Sequence, residues 1–119
     1  MKANKTLSTM KILDSQNQAL AEHLLADDWR MGIEEGHTVL NIPALFQTLG
    51  QLDNIAALIL SGSTISIQIG KIKFPDFVIK EIIYSSLIDE SESIPDHIAT
   101  IRAVSKEATT KEKLQEWFN

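Results

Sequence analysis

Three histidines are the side chains best suited to proton transfer near neutral pH or to metal binding, namely His23, His37 and His97. His23 and Asp27 are four residues apart and would share one face of a helix, while His37 follows Glu34-Glu35 in a polar segment. Each group offers only two or three ligands, and the sequence lacks paired cysteines and the His-Glu-x-x-His pattern of zinc enzymes. We therefore predict solvated polar surface at both places and no metal site.

Covalent and acid-base catalysis find no matching arrangement either. No serine lies in a Gly-x-Ser-x-Gly turn, and the adjacent carboxylates of Asp27-Asp28 and Glu34-Glu35 would point away from each other on a helix or a strand. Phosphate-binding glycine loops are missing too, and the segment that comes nearest to one, Ser61-Gly62-Ser63, is too short to be informative. We predict that the chain is not an enzyme and uses no cofactor.

The bulk composition predicts a single globular domain over residues 1–119 that binds another protein. The chain is 44% hydrophobic and 23% charged, and its length is that of one ordinary domain. Its formal net charge is −5 and its eleven Lys and Arg residues are dispersed, whereas proteins that grip a phosphate backbone usually have a basic face. This argues against nucleic acid or a membrane as the partner and favours a basic protein.

The sequence also predicts a cytoplasmic location. Residues 1–14 contain lysines but no continuous apolar segment and no small-residue cleavage pattern, so they do not resemble a signal peptide. The longest unbroken apolar stretch, residues 55–60, is far shorter than the roughly 18 residues that a membrane helix needs. The chain has no cysteine, which excludes disulfides and thiolate sites.

The clearest structural signal is a β-hairpin over residues 64–74. Isoleucines alternate with polar residues up to Gly70-Lys71, which suits a two-residue type II′ turn, and the alternation resumes at Ile72. A two-residue turn pairs Ile69 with Ile72 and places all the apolar side chains on one face. The hairpin leaves at least one open edge, and pairing between two copies would cover it, which makes a homodimer a candidate arrangement.

Helical spacing predicts helices over most of the rest of the chain. Pairs such as Ser15 with Gln18 and Thr109 with Glu112 have the form of capping boxes, and apolar residues follow them three and four apart. A second ribbon over residues 29–40, with a Glu-Gly turn, and a heptad-like extension or mobile arm over residues 1–14 are further options. The helices predicted on this basis cover residues 15–28, 42–51, 55–60 and 75–87, with one beginning at Pro95 and a last one opened by Thr109.

We therefore predict an α+β fold, with four or five of these helices packed on a small antiparallel sheet that includes the 64–74 hairpin. The segment 45–52 resembles the first helix and turn of a helix-turn-helix, and the hairpin behind it suggests a winged-helix transcription regulator as an alternative function. The second helix of that motif would read Ile55-Ala56-Ala57-Leu58-Ile59-Leu60, which lacks side chains that reach phosphates or base edges. The predicted function is instead a small acidic protein-binding module of the adaptor, chaperone, immunity or inhibitor type.

Aromatic residues near the C-terminus are the strongest candidates for the partner contact. Terminal turns fray unless they are docked, so Trp117 and Phe118 either fold back to close the core or form an exposed anchor for another chain. Trp29, which follows two aspartates, and an acidic loop that can contact a basic partner complete the predicted surface. The candidate partner-binding residues are thus Trp117, Phe118, Trp29, Asp89, Glu90 and Glu92.

Overall fold

The computed structural model describes residues 8–85 and 97–118. Over these residues the fold consists of one antiparallel sheet in the order β2-β1-β5-β6-β7-β4-β3, with two helices. The prediction of four or five helices on a small sheet is therefore wrong. The elements are β1 (Thr9–Leu13), β2 (Ala19–Leu24), β3 (Arg30–Glu34), β4 (His37–Phe46), α1 (Leu49–Ser61), β5 (Ile65–Ile69), β6 (Ile72–Ser85), β7 (His97–Ser105) and α2 (Lys111–Phe118).

The sheet curls until its two ends meet. Just beyond β2, Leu25 forms an antiparallel bridge with Ala44 of β4, and the Ala26 N–H donates to the Pro43 carbonyl at 2.9 Å. The segment from β2 to β3 thus pairs first with β1 and then with β4, which closes a barrel-like ring of strands along one seam. We call this contact the seam.

The inner surface of the ring holds the hydrophobic core. Alternate residues of each long strand point inward, and α1 contributes Ile55 while α2 contributes Trp117. Thr48 caps α1 by accepting from the Gln51 N–H, and Gly62 ends it in the left-handed conformation, which glycine adopts without strain. The largest fully buried side chains of this core are Phe46, Phe74, Phe77, Met10, Ile12, Leu40, Ile42, Ile55, Ile67, Ile79 and Ile101.

The two predicted ribbons are confirmed. In the 64–74 hairpin, Ile69 pairs with Ile72 and Ile67 with Phe74, and only Gly70 of the two turn residues has a positive φ, as a type II′ turn requires. Strands β3 and β4 form the second ribbon around Glu35-Gly36. The hairpin has no open edge, however, because β5 pairs with β1 and β6 pairs with β7, so the homodimer prediction loses this argument.

The predicted helix over residues 15–28 is wrong because its first residues form a tight turn. The Asp14 carboxylate accepts from the backbone N–H groups of Gln16 and Gln18, and Asn17 adopts a φ of 64°. Strands β1 and β2 pair on either side of this turn. The same pairing excludes a helical extension of residues 9–13, which lie in β1 between β2 and β5.

The predicted helix over residues 42–51 is also wrong, because β4 continues to Phe46 and α1 begins only at Leu49. Proline is tolerated inside β4 because the N–H and C=O of one residue point to the same neighbour in an antiparallel strand. The Pro43 carbonyl faces the seam, so the position of its missing N–H also faces the seam. The backbone hydrogen bonds between β4 and β7 therefore lose no donor at Pro43. A single helix in this region leaves no helix-turn-helix for the winged-helix alternative.

The predicted helices over residues 75–87 and from Pro95 are replaced, within the described residues, by β6 and β7. A bulge in β6 shifts the register between Ile79 and Glu81, so that Ile79 and Ile82 both point inward although they are three residues apart. That spacing imitates one face of a helix. The helix predicted over residues 55–60 is confirmed within α1, which begins earlier, at Leu49. The C-terminal helix is confirmed as α2, although Thr110 rather than the predicted Thr109 accepts from the Lys113 N–H at its start.

Candidate protein-binding surface

The structure places Trp117 in the core rather than on the surface. Its side chain is 7% exposed, and its ring centre lies 5.4 Å from that of Phe74 and 5.6 Å from that of Phe77. Of the two alternatives that the sequence left open for this ring, closing the core is the one that its position supports. Trp117 is thus inaccessible to a partner while α2 stays docked.

The other predicted contact residues have different positions. Phe118 is 46% exposed and packs edge-on against Phe74 at 5.8 Å, so one side of its ring remains available to a partner. Trp29 is half-buried and packs against the same phenylalanine at 5.7 Å. Asp89, Glu90 and Glu92 lie outside the described residues.

A different set of apolar side chains is exposed on the outer surface of the sheet. Ile98 of β7 pairs with Leu45 of β4, and Ile83 of β6 lies diagonally across from Ile98, a relationship that separates such side chains by about 7–8 Å. Leu45 alternates with core residues, and both Ile98 and Thr100, the partner of Ile83, flank the core residue Ala99, so all three apolar side chains point away from the core. Ile83 is 50% exposed.

The seam extends this row onto β2. Leu25 pairs with Ala44, so continuation of the register places Leu24 beside Leu45. Leu24 is 41% exposed, and it lines the same depression as Leu45. We call the four residues Leu24, Leu45, Ile83 and Ile98 the apolar stripe.

One end of the apolar stripe opens into a depression of about 350 Å³. Its walls combine apolar and polar side chains, and Gln51 is held in place because its side-chain oxygen accepts from the Gln47 N–H at 2.7 Å. A depression of this kind can receive one large side chain of a partner, which is how the central contacts of protein interfaces are often made. It is lined by Thr9, Glu22, His23, Leu24, Leu45, Gln47 and Gln51.

His23 sits in the wall of this depression with most of its ring buried. It is 7% exposed, and its ring centre lies 4.2 Å from that of Phe46. Burial lowers the pKa of His23, and the hydrogen bond with the Leu45 backbone and the charge of Glu22 oppose that shift only in part. The neutral imidazole is therefore the favoured form in the folded protein.

Two glutamates flank the apolar stripe on the same outer surface. Glu22 precedes Leu24 by two residues on β2, and Glu81 precedes Ile83 by two on β6. Both are exposed, and neither forms an ion pair with any residue between 8 and 85 or 97 and 118. The stripe is thus apolar with negative charge at either end.

The other two histidines are hydrogen-bonded within the fold. His37 Nδ1 donates to the Ser105 carbonyl at 2.9 Å, and His97, which pairs with Phe46 at the other end of β4, is hydrogen-bonded through Nδ1 to the Tyr84 hydroxyl at 2.8 Å. In the described part of the chain, no three or more His, Asp or Glu side chains come close enough to share a metal ion. Neither described helix is long and apolar enough to cross a membrane.

No protein-family model matches the chain, and no curated protein matches it significantly. The argument for function therefore depends on the surfaces described above. Sequence reasoning misses the apolar stripe because Leu24, Ile83 and Ile98 lie in segments whose spacing predicts helices. The signal that could have revealed it is the strand period of two, which places Leu45 on the outer face of β4 and its neighbours Ala44 and Phe46 on the core face.

Proposed function

We propose that this protein is a protein-binding module that engages its partner through the apolar stripe and the depression at its end. The observation that carries the proposal is the alignment of Leu24, Leu45, Ile98 and Ile83 across β2, β4, β7 and β6 on the outer surface of the sheet. Such an alignment adds nothing to the core. Exposed apolar residues that are contiguous and bordered by polar groups are typical of protein interaction sites.

The charges around the stripe favour one kind of partner. Glu22 and Glu81 lie beside its two ends, and the chain as a whole carries a net charge of −5. A segment with a large apolar or aromatic anchor and nearby Lys or Arg residues would fill the depression and complement these carboxylates. We therefore propose a basic protein partner that contributes such a segment.

Selection of peptides from a random displayed library against the purified protein tests the proposal. The selected peptides should contain an aromatic or large aliphatic residue flanked by Lys or Arg. Changing both Leu24 and Leu45 to Glu should weaken their binding by a factor of about 30, because truncating central contacts costs about 2 kcal/mol or more. Fluorescence anisotropy with a labelled peptide measures the change.

The matched control is Leu60→Glu, which introduces the same charge at a leucine that is 88% exposed on α1. It should leave peptide affinity unchanged. Affinity that survives the Leu24 and Leu45 changes but is lost in Phe118→Ala would assign binding to the C-terminal aromatic surface instead. Failure to select any peptide with the expected pattern would contradict the proposed partner chemistry.

A further inference from the structure

A second feature of the outer surface lies nearer the β3–β4 turn. Two depressions of about 400 and 260 Å³ adjoin there, since both are lined by His37, Lys80 and Val104. None of the residues that line them belongs to the apolar stripe. We call this site the valine basin, with Val39, Val78 and Val104 as its floor and Lys80, Glu35 and His37 on its rim.

The floor is apolar because three strands present valine at the same level. Val78 of β6 pairs with Val104 of β7, which in turn pairs with Val39 of β4. Val39 is 1% exposed, so it forms the deepest part, and the half-buried Val78 and Val104 provide the surface that a ligand would touch. On the β3 side Val39 pairs with Gly32, where a Cβ atom would meet nothing within 4 Å, so the basin is open there.

A β-bulge brings a lysine to the rim of this floor. The register between β6 and β7 shifts at Lys80, between Ile79 and Glu81. Such bulges redirect a side chain that regular alternation would place elsewhere. Lys80 lines both depressions and, within the described residues, forms no ion pair.

Glu35 places a carboxylate on the opposite rim, and the β3–β4 turn that carries it has an unfavourable backbone conformation for glutamate. Glu35 and Gly36 have φ values of 52° and 81°, the pattern of a type I′ turn, in which Asn, Asp or Gly is preferred at both positions. A glutamate in the left-handed conformation is uncommon, and strain of this kind points to a functional role. Glu35 makes no ion pair with any described residue, although it lines the larger depression.

The remaining polar groups of the basin are already engaged. Arg102 donates to Glu34 at 2.7 Å, so these two charges largely satisfy each other. His37 donates from Nδ1 to the Ser105 carbonyl, because a carbonyl can only accept, and the hydrogen bond fixes the ring at the edge of the floor. Lys106 lines the smaller depression, where its ammonium donates to the Thr64 hydroxyl at 3.4 Å. In the larger depression the uncompensated charges are therefore one ammonium, on Lys80, and one carboxylate, on Glu35.

We propose that the valine basin binds a free α-amino acid with a branched aliphatic side chain. The ligand carboxylate would pair with Lys80, its ammonium with Glu35, and its side chain would lie on Val78 and Val104. Lys80 on β6 and Glu35 in the β3–β4 turn both line the larger depression, whose volume of about 400 Å³ can hold a ligand of this size between them. A purely anionic or cationic ligand would leave one rim charge unpaired and would face repulsion from it.

Titration of the ¹⁵N-labelled full-length protein with L-leucine tests the inference. We expect saturable shifts of the Val78, Val104 and Lys80 amide signals in nuclear magnetic resonance spectra. Three partial ligands test each contact: 4-methylpentanoate lacks the ammonium, 3-methylbutylamine lacks the carboxylate, and glycine lacks the apolar side chain. Each should bind at least about tenfold more weakly than L-leucine. The absence of saturable shifts with L-leucine, or equal affinity for 4-methylpentanoate, would overturn the proposal.

Two variants separate binding from folding. Lys80→Met keeps the aliphatic stem and removes the charge, and it should weaken L-leucine binding about tenfold, whereas the control Lys71→Met in the exposed 70–71 turn should not. Glu35→Asn should raise the melting temperature, because Asn suits the turn, while it also weakens binding. Loss of binding in a more stable protein cannot result from unfolding. Unchanged binding in Glu35→Asn would overturn the role of Glu35, and these outcomes are independent of peptide binding at the apolar stripe.

Discussion

The inner aromatic cluster and the outer apolar stripe are built from similar residues on the same sheet, yet their surroundings differ completely. On the inside, Phe74 contacts the rings of Trp29, Phe77, Trp117 and Phe118, all with centroid distances between 5.4 and 5.8 Å. On the outside, Leu24 and Ile83 remain 41% and 50% exposed. Covering by α2, rather than residue type, makes the first surface structural and leaves the second available for binding.

The difference arises from where the helices attach. Helix α2 brings Trp117 onto Phe74 and Phe77, and α1 inserts Ile55 into the core, so both helices serve the inner surface. Among the described residues, none packs over the outer surface at Ile83 in the same way. An antiparallel sheet can leave one face to solvent, but that face is then usually polar. The apolar stripe departs from that pattern, which is the reason for assigning it a partner.

Truncation of Phe74 should have the largest effect on stability, and it tests whether the inner aromatic cluster is structural. Phe74→Ala removes a fully buried ring that contacts four other aromatic side chains, so it should lower the free energy of unfolding by about 3–5 kcal/mol. Urea unfolding followed by tryptophan fluorescence measures the loss. A loss below about 1 kcal/mol would show that the cluster is not the part of the core that we describe.

Turns were easier to predict from the sequence than strands, and without the strands the inner and outer surfaces of the sheet cannot be distinguished. Turns are encoded locally, so Gly70-Lys71 and Glu35-Gly36 could be located from a few residues. The long strand β6 contains a bulge at Lys80, which makes Ile79 and Ile82 repeat at a helical spacing. Choosing between the two periods requires the pairing of β6 with β7, which is a long-range property of the fold.

The candidate sites were predictable to a smaller extent than the turns. The sequence indicates that Trp117 and Phe118 either close the core or contact a partner, and only the packing of α2 shows which of the two rings is buried. The apolar stripe draws its members from four strands that are distant in sequence, and the seam that brings Leu24 beside Leu45 is a single bridge. Nothing local in residues 24–25 indicates that contact.

A pH titration would sharpen the comparison at His23, which lies between the core ring of Phe46 and the depression beside the stripe. Burial lowers the pKa of His23 in the folded state, so the unfolded chain takes up a proton first as the pH falls. Above about pH 6.5, the pKa of histidine in the unfolded chain, the neutral His23 ring should contribute its full stabilisation of the fold. This contribution should decline as the pH falls below 6.5 towards the lowered pKa of His23 in the folded protein. Thermal unfolding between pH 5 and pH 8 measures it.

The variant His23→Gln provides the comparison for that titration. The difference in stability between the native protein and His23→Gln should be constant above neutral pH and should shrink in acid. His37→Gln, which changes an imidazole at the opposite end of β4 from Phe46, should retain the acid dependence of the native protein. If His23→Gln keeps the full acid dependence instead, the neutral His23 ring is not what couples stability to pH.

Substitutions in the apolar stripe should have the smallest effect on stability and the largest effect on binding. Changing Leu24 and Ile83 together to Ser removes two exposed apolar side chains, and it should alter the free energy of unfolding by no more than about 0.5 kcal/mol per site. The same double variant should lose affinity for the peptides selected against the native protein. A loss of several kcal/mol in stability would mean that the stripe is covered by the chain itself, and binding should then be sought at Phe118. Near-native stability combined with lost affinity is the result that separates a surface kept for a partner from one kept for the fold.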